Sequence, residues 1–162
     1  MKLQLTLIVA LSLAATVSAQ GNASLAGTWT IDRAATPGGG AGRGAGAIAG
    51  IPIATTINIK ISPSDVAVES DTGSGQTMQT AVYKLDGSSN AVPGPLGWET
   101  TARAAWESGS LVVMTRRAMT GPTGPMSVDV KDVFSVAGNL LTIDRSMGRA
   151  TQKLVYRKGD SK

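Results

Sequence analysis

Leu25-Ala26-Gly27-Thr28-Trp29-Thr30-Ile31-Asp32-Arg33 is the stretch that decides the fold. Alternation puts Trp29 and Ile31 on one face and Thr28, Thr30 and Asp32 on the other, the period of a half-buried strand. A Gly two residues ahead of a Trp, opening an all-β chain, is a recurring way to begin a closed barrel. The glycine lets another backbone approach closely, and the indole plugs one end of the interior. The rest of the chain is expected to supply strands that close on this one.

Downstream, the same period-2 pattern recurs between turn signals. Ile57, Ile59 and Ile61 alternate with Asn58 and Lys60 in the clearest strand, Ile53 to Ile61, and Ser62-Pro63-Ser64-Asp65 turns the chain back. Val66 to Glu69 and Thr77 to Leu85 follow, the latter closed by Asp86-Gly87, a strong tight-turn signal. After a Pro/Gly-rich link, Ala91 to Gly97, the segment Trp98 to Glu107 places Trp98, Ala102, Ala104 and Trp106 on one face. Leu111 to Arg117, Met126 to Val136, Leu140 to Arg145 and Thr151 to Arg157 complete about nine strands, with a loop at Thr120 to Pro125. Sequential hairpins favour an all-β, antiparallel up-and-down barrel of about eight to ten strands over a sandwich, with no substantial helix.

Upstream, Met1 to Ala19 has the layout of a secretory signal. Lys2 is a short basic region, Leu3 to Ala15 a mostly apolar one too short to span a bilayer, and Val17-Ser18-Ala19 fits small-residue cleavage. The reading is therefore a signal peptide over 1–19 and one domain over 20–162, exported to a periplasmic or extracellular location and soluble. No later stretch approaches the ~20 apolar residues of a membrane span.

Composition excludes more than it assigns. The chain has neither Cys nor His, which removes thiol nucleophiles, imidazole bases and ordinary zinc or copper sites, so no metal and no cofactor is expected. Without Cys there is also no disulfide and no lipoprotein attachment point. The fifteen Lys and Arg are scattered, with Arg116-Arg117 and Arg157-Lys158 the two adjacent pairs, so a net charge of +4 makes no nucleic-acid surface. A Gly-rich loop occupies 34–52. Its segment Gly42-Arg43-Gly44-Ala45-Gly46-Ala47 has the loose spacing of a dinucleotide fingerprint. Pro52 and a strand follow it where that fingerprint needs a helix, so a mobile cover over one barrel mouth, Pro37 to Gly50, is the expected role.

Gly27-Thr28-Trp29, the meander, and the closing Val155-Tyr156-Arg157-Lys158 together resemble the lipocalin-like, calycin-type barrels of secreted bacterial proteins. The resemblance implies a barrel plug of Gly27 and Trp29 with a basic residue from the far end of the chain against the indole. Arg157 is the matching candidate. It also implies binding of a small apolar molecule, though fold alone never fixes function.

Catalytic constellations fail in context. Asp71-Thr72-Gly73-Ser74 spells an aspartic-protease signature, but it has no second copy and follows the polar Glu69-Ser70, so it reads as a hairpin turn. A Ser with an Asp but no His lacks a base of suitable pKa, and no catalytic residue is assigned. Asp132 is the odd residue, on the face of Val128, Val130, Phe134 and Val136. A β-bulge or rim position, an ion pair with an Arg, or a ligand contact would each account for it. Trp98, Trp106, Ala102 and Ala104 are the candidate ligand-binding residues, core packing being the other role for the two tryptophans. Three functions follow. The leading one is a non-enzymatic barrel for a small hydrophobic ligand. The others are a protein-interaction or envelope-structural domain with a filled barrel, such as a hydrolase inhibitor, and a hydrolase using carboxylates such as Glu99, Glu107, Asp129 and Asp132.

Overall fold

The computed structural model of the protein describes residues 24–37, 51–73, 79–95, 97–122 and 124–159. Ten strands run in chain order: β1 Gly27–Ile31, β2 Thr56–Ile61, β3 Asp65–Asp71, β4 Gln79–Lys84, β5 Asn90–Ala91, β6 Glu99–Glu107, β7 Ser110–Gly121, β8 Gly124–Ala137, β9 Leu140–Met147 and β10 Ala150–Lys158. They form one antiparallel sheet in the order β4-β3-β2-β1-β10-β9-β8-β7-β6-β5. The sheet curls into a nearly closed barrel. At the seam the Asn90 side-chain amide donates to the Val82 carbonyl at 2.8 Å, tying β5 to β4. The expected all-β meander is therefore the fold, and among the described residues only Ser24 and Leu25, just ahead of β1, are helical.

Turn chemistry sets the register. Glu107 pairs with Ser110 across Ser108-Gly109, both at positive φ (49° and 83°), as a two-residue turn matched to strand twist requires. The expected loop at Thr120 to Pro125 is instead a tight hairpin, because Gly121 pairs directly with Gly124 and both long strands run to its tip. The short strand β5 overlaps the expected link, Ala91 to Gly97, at Ala91 alone.

Asp132 is not turned outward by a bulge. Pairing is uninterrupted on both sides of it, Val112 with Val133, Val113 with Asp132 and Asp132 with Arg145. Val133 thus points out and Asp132 in. A carboxylate is tolerated there because an arginine stands opposite it on the next strand.

One end of the barrel is a dry apolar layer. Trp29 is fully buried and its Nε1 donates to the Leu25 carbonyl at 3.0 Å, with Ile59, Val66, Leu111 and Leu141 buried in the same core. The cation against the indole is Lys158, whose Nζ lies 5.3 Å from the ring centroid, and not Arg157. Strand alternation explains the correction. Arg157 faces outward, 61 % exposed along its side chain, and its Nε donates to Asp32 Oδ2 at 2.6 Å. Asp32 Oδ1 also accepts from the Ala34 and Ala35 amides; the Ala35 amide first, then Arg157, and last the Ala34 amide hold its carboxyl below the usual range. Gly27 sits at φ 125°, and a Cβ there would meet the Lys158 side chain rather than another backbone.

Candidate ligand-binding cavity

Away from Trp29 the interior opens into a cavity of about 200 Å³. Its apolar wall comes from β2, β3, β8, β9 and β10 through Ile57, Val68, Phe134, Ile143 and Leu154. Ser70, Tyr83, Arg117, Asp132 and Arg145 form the polar wall, and Pro52, Gln79 and Pro93 stand at the exposed rim. Every strand contributor sits at the inward parity of its strand, so the cavity follows from the same alternation that builds the core.

The polar wall holds three charges. Arg145 grips Asp132 with two parallel hydrogen bonds, Nε to Oδ1 at 2.7 Å and Nη2 to Oδ2 at 3.0 Å, and each side chain is only 13 % exposed. Burial pulls the Arg145 pKa down, but the hydrogen bonds and charge of Asp132 outweigh it and hold the guanidinium above its ordinary value. Arg117 has no such partner. It makes no hydrogen bond within the described residues, and its buried Nε is left unpaired, as is Arg145 Nη1. Burial, then the positive charge of Arg145, lower its pKa. Tyr83 and Tyr156 lie on the same wall, each hydroxyl pushed up to about 12 by burial; Tyr156 donates to the Ala54 carbonyl at 3.1 Å.

The residues singled out from sequence lie elsewhere. Ala102 and Ala104 are buried in the core and Trp106 packs against it, while Trp98 is half-buried just ahead of β6. None of the four lines the cavity. The Gly-rich segment 38–50 lies outside the described residues, although Ile51 and Pro52, which follow it, line the cavity. The proposed carboxylate set does not converge. Glu99, Glu107 and Asp129 are exposed on the outer face, and only Asp132 points inward. Asp71 closes β3 and its carboxylate accepts from the Gly73 amide at 2.7 Å, the geometry of a turn. Arg117 and Arg145, the two cations of the wall, are not among the residues singled out from sequence, although strand parity could have found them. Each shares the parity of its strand's apolar residues, Leu111 and Val113 for one, Leu141 and Ile143 for the other.

Ten antiparallel strands around an inward cavity give the chain the fold of a nearly closed, lipocalin-like up-and-down β-barrel. No family model and no curated protein matches it. Solved structures do. A protein described as REP1-NXSQ fatty acid transporter is similar at TM-score 0.60 and 14% identity, over 86% of this chain and 99% of that one. The fluorescent protein UnaG is similar at TM-score 0.56 and 17% identity, over 83% and 96%. An abundant heat soluble (SAHS) protein from Ramazzottius varieornatus is similar at TM-score 0.53 and 15% identity, over 64% and 70%. Likeness at this identity is likeness of fold.

Proposed function

We propose that the barrel is a non-enzymatic binding protein for a small amphipathic molecule, its apolar body in the cavity and an anionic head group against Arg117. The observation that carries this is a buried, unpaired guanidinium nitrogen beside an apolar wall. An orphaned donor in low dielectric is costly and calls for an acceptor, best supplied by a charged group. The cavity has room for a short apolar chain, and the open rim admits more. A solved barrel of similar fold described as a fatty acid transporter agrees with the reading. Export, suggested by the apolar start of the sequence, belongs to the same proposal.

The test is titration of the purified protein with an apolar fluorescent acid, alongside mass spectrometry of an organic-solvent extract. Saturable binding is expected in the wild type, weakened about tenfold or more in Arg117→Gln and in Ala81→Leu, which fills the cavity wall. Absence of a copurifying small molecule together with absence of saturable probe binding removes the proposal and favours an interaction domain.

A further inference from the structure

The buried pair Asp132–Arg145 is not explained by stability. Replacing such a pair with apolar residues is often neutral or stabilising, because desolvation offsets most of the attraction. Its effect on the cavity is a matter of charge. Three charged side chains line the wall, Arg117, Asp132 and Arg145, and the bidentate bridge cancels two of them. Arg145 spends Nε and Nη2 on Asp132 and turns one unpaired nitrogen, Nη1, away from it.

We propose that Asp132 is a specificity-determining residue that sets the charge of the ligand. By pairing with Arg145 it leaves the described wall with one net positive charge, Arg117 being the cation with no hydrogen-bonded carboxylate, so the site selects a head group with one negative charge over a head group with two. This rests on the binding reading above. In a poorly solvated cavity a second negative charge is desolvated without a partner and is repelled by the Asp132 carboxylate. Substituting Asp132 with Asn keeps an acceptor oxygen for Arg145 but frees a second positive charge for the ligand.

Octanesulfonate and octylphosphonate share a chain and a tetrahedral head. At about pH 9 the first is a monoanion and the second a dianion. Calorimetric titration of both into the wild type, Asp132→Asn, Arg117→Gln and the double variant Asp132→Asn/Arg145→Gln separates the outcomes. The wild type is expected to prefer the sulfonate. In Asp132→Asn the ratio of phosphonate Kd to sulfonate Kd should fall about tenfold or more. The double variant restores one net cation and should restore the wild-type ratio, and Arg117→Gln should weaken both probes. An unchanged ratio in Asp132→Asn overturns the inference while leaving the binding reading standing. If neither probe binds any of the four proteins, the binding reading falls and the inference with it. Should Asp132→Asn fail to fold, the double variant decides. A wild-type ratio supports the inference, and lost sulfonate binding shows that Arg145 holds the ligand itself, which overturns it.

Discussion

Trp29→Ala is the perturbation with the largest calculable effect. The indole is fully buried, so its removal costs the lost transfer energy plus an unfilled cavity, about 3–5 kcal/mol. Its Nε1 hydrogen bond to the Leu25 carbonyl goes too, which adds about 1 kcal/mol for an acceptor left unpaired. The sum is a large share of a typical domain's ~5–15 kcal/mol and should lower Tm by about 10–20 °C. Two companions apportion the loss. Trp29→Phe keeps most of the apolar contact and should cost about 1–2 kcal/mol through the hydrogen bond and the smaller ring. Lys158→Met removes only the cation over the ring, 5.3 Å from its centroid, and should cost no more than about 1 kcal/mol. Urea unfolding followed by tryptophan fluorescence and far-UV circular dichroism reads all three. A wild-type midpoint for Trp29→Ala, or an equal loss for Phe and Ala, would refute the plug argument.

Gly94→Ala should destabilise by about 1–3 kcal/mol, since the added Cβ would lie 1.9 Å from Thr100 Oγ1 and 2.8 Å from its Cβ; thermal melts of the variant check this. The chain's two tyrosines, Tyr83 and Tyr156, should stay protonated in the native protein until about pH 12, so phenolate absorbance should show no step near pH 10 unless the protein unfolds. A raised folded-state pKa contributes stability that is complete below 10 and lost as pH climbs toward 12, so Tyr156→Phe should flatten the alkaline limb of a Tm-against-pH curve. Asp32 has the opposite sign. Its depressed pKa contributes stability present above 3.8 and lost as pH falls through the folded-state value, so Asp32→Asn should shrink the acid loss of Tm measured between pH 5 and 2.

Much of the barrel is legible in the sequence because its signal is local. Ile57 and Ile59 against Asn58 and Lys60, or Ala102 and Ala104 against Arg103, declare a strand and its inward face with no knowledge of the partner strand. Asp132 is legible as an anomaly for the same reason, but its resolution is not, because Arg145 stands opposite only through strand register. The place of the void is less legible still. Ala102 and Ala104 do face inward, yet neighbouring bulk fills the space their small side chains leave, and the cavity opens beside Arg117 and Tyr83 instead. Arg157 and Lys158 differ by one residue, and in a strand one residue is the whole difference between a surface ion pair and a cation over the plug.

The order of strands around the barrel also carries a timetable. β1 and β10 are neighbours in the sheet although they are the first and last strands of the chain, while the consecutive β4 and β5 lie at its two edges. A polypeptide made from its N-terminus therefore produces Trp29 and Ile57 long before Leu154 and Tyr156 exist to cover them. Through most of synthesis the first meander waits with one edge and one apolar face uncovered, and the core can dry only when the final strand arrives. Eight of the nine strand pairings join neighbours in sequence and can form as the chain emerges; the ninth, β1 with β10, is the one distant pairing, and closure of the barrel waits on it.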